Sequence, residues 1–251
     1  MSMSIDSVKN LSYSLPLYVQ IAEGLIGQIE AGALAPGAQL PPERDLSAKL
    51  GVNRLTLRRA LRVLEAQGLI IRKHGVGTYV ADAKIERQME VVFRFTRGMQ
   101  KRGFTPAAKV ISLEVSVLDA SLARELAVPI SSLAYLIMRL RLINQEPVML
   151  ESYTIPTQRF PGLDQYDLEN RSIYEVMETQ YGVAIVRARQ SFEPVVASAF
   201  EADLLGTEVG APLMLERRLS FDKDGRPVEF GKDRYRGDRF RFVTEAQPYD
   251  L

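Results

Sequence analysis

Arg139 and Arg141 stand two residues apart in the segment YLIMRLRLI (135–143), and Glu151 and Tyr153 stand two apart in VMLESYTIP (148–156). Along an extended chain alternate side chains share a face. Ile137, Arg139 and Arg141 therefore point one way and Met138, Leu140 and Leu142 the other. Glu229 and Tyr235 share a parity in VEFGKDRY (228–235), so two arginines, two glutamates and two tyrosines can converge over one sheet. Arginines on so apolar a strand must be solvated, paired or bound to an anion. Their planar fork suits phosphate or carboxylate, and the glutamates suit hydroxyls or an amine. Two readings stand side by side: cross-strand salt bridges on an exposed sheet face, or a site for a small anion.

A second constellation occupies residues 40–80. Between Arg54 and Lys73 there are six basic residues (Arg54, Arg58, Arg59, Arg62, Arg72, Lys73) and one acid, Glu65. The spacing predicts two short helices joined at Gly51-Val52, the second capped by Asn53. Leu57, Ala60, Leu61 and Leu64 form its apolar stripe. Arg54, Arg58 and Arg62 repeat every fourth residue on another face, flanked by Arg59. A hairpin follows, tipped by Lys73-His74-Gly75-Val76-Gly77. A helix–turn–helix with a basic second helix and a basic wing can enter a major groove and touch the flanking backbone. Arg54, Thr56 and Arg58 are placed to reach base edges, and Arg59, Arg62, Arg72 and Lys73 to meet phosphates. Gly75 and Gly77 let the backbone approach closely. His74, the only histidine, is a backbone contact or a solvated loop residue. The partner these residues imply is double-stranded DNA.

The elements that hold these sets divide the chain. Residues 1–13 read as a flexible tail, 14–81 as the DNA-binding domain, 82–91 as a linker covering most of the polar stretch ADAKIERQME (81–90), and 92–251 as a second domain. The first opens with a helix from Pro16, its stripe made of Tyr18, Ile21, Leu25 and Ile29. The second contains an internal repeat. Residues 114–118, a helix over 119–127 and a hairpin over 135–153 are echoed by 192–196, a helix over 198–205 and a hairpin over 213–235. Both hairpins return through Pro-Val, at 147–148 and 227–228. Arg139 and Arg141 find counterparts in Arg217 and Arg218. Strand, helix and hairpin twice over predicts an α+β domain on an antiparallel sheet.

At 251 residues and 46% apolar, the chain is long enough for one or two cores. Residues 1–80 hold nine Lys and Arg against six Asp and Glu, a net of +3, while the remainder holds 23 against 25, a net of −2. The overall +1 conceals a positive excess on the part that would meet DNA. The absence of cysteine excludes disulfides, thiolate chemistry and cysteine-based zinc sites. No metal or cofactor is called for. No apolar run approaches the roughly 18 residues of a membrane span, so the expected location is cytoplasmic, on the nucleoid, with no membrane partner.

Specific motifs align with a family. Pro16-Leu17-Tyr18-Val19-Gln20-Ile21, Pro36-Gly37, Leu40-Pro41, Glu43-Arg44-Asp45-Leu46, Leu50-Gly51-Val52, Gly68-Leu69 and the stretch from Gly75 to Val80 resemble the winged helix–turn–helix of GntR transcriptional regulators. The resemblance adds Arg44 and Asn53 to the DNA-contacting set. Pro42 stands where that family usually has a capping Ser. FTRGMQKRGFTP (95–106), MRLR (138–141), EPVMLESYTIP (146–156), RSIYEVME (171–178) and GRPVEFGKDRYRGDRFRF (225–242) resemble the UTRA effector domain of the HutC subfamily, similar in fold to chorismate lyase. The matching branch answers to amino-sugar phosphates. There the resemblance implies a pocket of Phe95, Thr96, Arg139, Arg141, Glu151, Ser172, Glu229 and Tyr235, to which strand spacing adds Tyr153. Arg97, Gly98, Gly231 and Asp233 depart from the branch around those positions.

The combined expectation is a mixed α/β chain: an N-terminal winged helix–turn–helix and a C-terminal α+β, chorismate-lyase-like UTRA domain. It would bind an inverted-repeat operator as a homodimer and act as a repressor released or rearranged by a small anionic effector, without catalysis. The alternatives are an architectural DNA-binding protein that ignores small molecules and a chorismate-lyase-like enzyme.

Overall fold

The computed structural model describes residues 15–73, 75–89 and 95–246, and it separates into two compact units with the boundary between Lys84 and Ile85. The expected tail and His74 lie outside the described residues.

The first unit contains α1 (Leu17–Glu30), α2 (Glu43–Leu50), α3 (Arg54–Ala66) and the hairpin of β1 (Ile70–Lys73) with β2 (Gly77–Val80). The Asn53 carboxamide accepts the Thr56 N–H at 2.7 Å and so starts α3 where the sequence placed it. Gly51, with φ of 65°, closes α2 in the left-handed region. Pro42 precedes α2 without a side-chain cap. Leu57, Ala60, Leu61 and Leu64 are buried against Ile21, Ala22 and Leu25 of α1, Leu46 of α2, and Ile70 and Val80 of the wing. One core therefore fixes the angle at which α3 and the hairpin are presented.

The second unit is built on a six-stranded antiparallel sheet. Its strands are β4 (Pro106–Val117), β5 (Leu133–Ile143), β6 (Glu146–Pro156), β7 (Arg187–Val196), β8 (Pro212–Phe221) and β9 (Pro227–Arg236), in the order β4-β5-β6-β9-β8-β7. The internal repeat maps onto the two halves of this order, which meet where β6 pairs with β9. The repeat helices α5 (Ala120–Glu125) and α7 (Ala199–Leu205) each pack on strands of the other half. Ala123 of α5 sits with Leu219, and Ala202 and Leu205 of α7 with Leu140 and Leu150.

The other face carries α6 (Ile173–Tyr181) at one end and α4 (Phe95–Lys101) at the other. Tyr135 and Ile137 of β5 belong to the α6 core and Ile143 to the α4 core. Arg139 and Arg141 fall between these two cores.

The expected linker is corrected in part. Ile85–Gln88 forms a strand, β3, paired in parallel with β10 (Phe240–Val243) inside the second unit. Only Ala81–Lys84 lies without regular structure before the boundary.

Candidate functional site

The alternation read along residues 135–143 places Arg139 and Arg141 on the covered face of the sheet, 1% and 3% exposed. Glu151 stands opposite Arg139 in the β5–β6 register. Arg139 donates to Glu151 Oε2 from Nη2 at 2.5 Å and from Nε at 3.0 Å, and its Nη1 donates to the carbonyls of Leu168 and Arg171. Tyr153 donates to the other Glu151 oxygen at 2.6 Å. Arg141 lies 3.5 Å from Glu151 Oε2, donates to Thr96 Oγ1 at 2.8 Å and stacks 4.4 Å from the Phe95 ring centroid. Its buried Nε has no hydrogen-bond partner among the described residues. The cross-strand salt bridge is present, but on a buried face.

Phe95, Thr96, Arg139, Arg141, Glu151, Tyr153 and Ser172, seven of the nine expected residues, line one small cavity together with Tyr174. Its volume of about 10 Å³ has room for roughly one water. Burial would raise the Glu151 carboxyl, but Arg139 and Arg141 outweigh it and hold it at about 2. For Arg139 burial is more than offset by Glu151 and the pKa rises, while for Arg141 burial prevails and the pKa falls. Two guanidiniums thus share one carboxylate, and Arg141 is the poorly compensated one. Such a site favours an incoming anion.

Glu229 and Tyr235 lie in an adjoining cluster. Glu229 Oε1 accepts from Arg218 at 2.9 Å, Ser220 at 2.6 Å and Tyr174 at 2.7 Å. Tyr235 donates to Glu216 at 2.8 Å and accepts from Arg87 at 2.7 Å. The Tyr153 ring separates the two groups, its centroid 5.6 Å from both the Arg139 and the Arg218 guanidinium. Arg217 and Arg218, read as counterparts of Arg139 and Arg141, point to opposite faces. Arg218 is buried in this cluster, whereas Arg217 pairs with Glu193 at the surface. Adjacent strand residues cannot share a face.

Gly231 supplies space here, because a Cβ at that position would fall 2.5 Å from Arg218 Nη2. Asp233 accepts from Arg218 at 2.5 Å, yet burial, with Glu216 and Glu151 nearby, raises its carboxyl to about 7. Tyr174 and Arg87 were not singled out from the sequence; Arg218 was named there as a repeat counterpart of the Arg139–Arg141 pair, but not among the pocket residues.

A larger cleft of about 580 Å³ lies on the α5 face of the sheet. Two of its cations, Arg189 and Arg217, pair with Glu125 and Glu193.

In the first unit Arg54, Arg58, Arg59 and Arg62 are exposed on α3, with Thr56 half-buried near its start. Arg58 donates to Glu43 at 2.6 Å and Arg72 contacts the same carboxylate at 3.5 Å, joining α3, α2 and the wing. Arg72 also meets Glu65 at 3.2 Å, and Arg44 meets its neighbour Asp45 at 3.1 Å. Lys73 ends β1 opposite Gly77. Gly75 is exposed at the tip, and Gly77, with φ of 145°, leaves room for Gln39, whose Nε2 a Cβ would approach to 2.5 Å. Among the described residues no group of His, Cys, Asp and Glu could hold a metal ion, and no helix is long and apolar enough to cross a membrane.

Comparison with known proteins places these two surfaces in one lineage. Residues 17–80 match the bacterial regulatory proteins of the gntR family, and residues 101–241 match the UTRA domain. The chain is 36% identical over 234 residues to the HTH-type transcriptional repressor NagR of Bacillus subtilis (strain 168), covering 93% of this chain and 96% of that one. It is 30% identical over 232 residues to the mannosyl-D-glycerate transport/metabolism system repressor MngR of Escherichia coli (strain K12), covering 92% and 96%. Among solved structures, PhnF from Mycobacterium smegmatis superposes with a TM-score of 0.65 at 27% identity, covering 92% of this chain and 98% of that one. NagR and MngR are named as repressors, and the chain belongs to the GntR family of bacterial transcriptional regulators, in the HutC-type branch that joins a helix–turn–helix to a UTRA domain.

Proposed function

We propose that this regulator is a repressor that binds an inverted-repeat operator as a homodimer and is released or rearranged by a small anionic metabolite held at Arg139 and Arg141. The observation that carries the reading is the sharing of one buried carboxylate, Glu151, between two buried guanidiniums that line one small cavity. A doubly charged phosphate supplies the charge that Arg141 lacks, and Thr96, Ser172, Tyr153 and Tyr174 offer hydroxyls to a polyol. The effector is therefore read as a sugar or amino-sugar phosphate, in keeping with relatives named for fructoselysine utilization and for mannosyl-D-glycerate transport and metabolism. A cavity of about 10 Å³ admits such a ligand only if the groups around Arg141 separate.

The operator would be read by Arg54, Thr56 and Arg58, while Arg44, Arg59, Arg62, Arg72, Lys73 and the wing backbone at Gly75 and Gly77 meet phosphates. Asn53 fixes the start of α3. Two-fold symmetry of the protein calls for two-fold symmetry of the site.

A thermal-shift screen of sugar phosphates, free sugars and dicarboxylates tests the pocket. A ligand at about a hundred times its Kd adds roughly 2.7 kcal/mol of stability. A shift by a phosphorylated sugar that is lost in the Arg139→Ala/Arg141→Ala variant supports the reading. A response to dicarboxylates alone overturns the sugar-phosphate assignment.

A further inference from the structure

The strand through which the chain enters the second unit carries a fully buried cation. Arg87 on β3 donates to both oxygens of Glu216, at 2.5 and 2.7 Å, and to the Tyr235 hydroxyl at 2.7 Å. Its guanidinium carbon lies 5.0 to 5.5 Å from the ring centroids of Tyr235, Phe192 and Phe242. Both members of the Arg87–Glu216 pair have side chains at 0% exposure. β3 is four residues long and, among the described residues, pairs only with the equally short β10. The side chain of Arg87, together with Ile85 in the core around Ile143, Val148, Met149 and Tyr235, ties β3 to the six-stranded sheet.

Stability alone does not account for such a pair, because well-packed apolar residues of similar volume do as well or better in a protein interior. Its neighbours indicate another use. Glu216 lies 3.6 Å from Arg218. Arg218 sits 5.6 Å from the centroid of the Tyr153 ring, and the Tyr153 hydroxyl is bonded to Glu151 in the cavity. Four consecutive contacts thus lead from the carboxylate shared by Arg139 and Arg141 to the arginine that anchors the entering strand. An anion arriving at Arg139 and Arg141 competes with Glu151 for its partners. The displaced carboxylate then acts on Tyr153 and on the buried charges beyond it. Arg87 stands three residues after the boundary at Lys84, so a change in its anchorage reaches the connection to the DNA-binding unit through the chain itself.

We propose that Arg87 is a positioning residue that converts occupation of the Arg139–Arg141 pocket into a change in the strand leading to the DNA-binding unit. This rests on the anion-pocket reading above. It requires that ligand binding and the state of β3 be energetically coupled.

The test uses the full chain and a duplex selected by the wild-type protein from a random pool, with glucosamine 6-phosphate, glucose 6-phosphate and inorganic phosphate as probes. In the wild type the effective probe is expected to change operator affinity by a factor in the range of roughly 5 to 150. Arg87→Met is expected to keep its probe Kd and its operator Kd without probe within about threefold of wild type, while that factor falls toward one. Arg87→Lys, which keeps the charge but not the fork, is expected to recover part of it. A folded Arg87→Met variant whose factor equals that of wild type overturns the proposal and leaves Arg87 a structural residue. Should Arg87→Met fail to fold, hydrogen exchange of the wild type decides. Altered exchange at the β3 amides on adding probe supports the coupling, whereas protection at β5 with β3 unchanged overturns it. A wild type that binds none of the probes overturns the pocket reading, and this inference with it.

Discussion

Glu43 at the start of α2 accepts a hydrogen bond from Arg58 of α3 at 2.6 Å, and its second oxygen faces Arg72 of the wing. The carboxylate holds the two basic elements at one spacing while placing a negative charge among side chains read as phosphate contacts. Glu43→Gln is expected to raise affinity for a random duplex and to lower the ratio of selected-operator to random binding roughly two- to fivefold, the size of an exposed ion pair of about 0.2–1 kcal/mol. Parallel filter-binding titrations on the two duplexes check this. An unchanged ratio would show that Glu43 does not align the arginines.

Arg54, Arg59 and Arg62 make no ion pair among the described residues and stand exposed on α3. Replacing any one of them by Ala is expected to leave the thermal midpoint nearly unchanged. A residue that meets a phosphate should also reduce the slope of log affinity against log salt by about 0.9. Arg54→Ala is expected to relax base preference at one position of each half-site as well, which selection from a random pool would show.

Glu151 satisfies Arg139 and, more weakly, Arg141 on a buried face. Glu151→Gln leaves both guanidiniums without a counter-charge, and a loss of roughly 3–5 kcal/mol in urea unfolding is expected. The triple change Arg139→Met, Arg141→Met and Glu151→Leu should recover most of that loss, because the cost comes from the unpaired charges.

The acid limb of stability has two opposed contributions. Glu151, held at about 2 in the folded chain, contributes stability that is complete above its ordinary range near 4.5 and is lost as pH falls toward 2. Asp233, raised to about 7, binds its proton more tightly folded than unfolded, so its contribution declines as pH rises from about 4 to 7. Asp233→Asn is expected to flatten the decline over that window, as measured by unfolding midpoints at pH 5 and pH 8. A wild type whose stability rises steadily across the window would contradict the raised Asp233.

What the sequence made legible follows from how local each signal is. The cap at Asn53 and the leucine stripe of α3 act within one helix, and both are where spacing put them. The parity of Arg139 and Arg141 against Leu140 and Leu142 needs only that the segment be extended, and the repeat foreshadowed the two halves of the sheet. Register and distant partners were hidden. Arg218 rather than Arg217 faces inward because β8 pairs with β9 in one particular frame. Glu229 meets Arg218, not Arg139, for the same reason. Tyr174 reaches Glu229 from a helix 55 residues away. Arg87 lies in a polar stretch without periodicity, and its partner Glu216 is 129 residues distant. A four-residue strand set in a polar stretch leaves almost no local pattern to read.

The most direct test of the account compares wild type with Arg141→Met for binding of a selected operator duplex, with and without glucosamine 6-phosphate. Arg141 is the guanidinium that Glu151 serves least. The variant is expected to bind the operator within about threefold of wild type without ligand and to lose the response to the sugar phosphate. A variant that still responds as the wild type does would contradict the placement of the anion at Arg139 and Arg141.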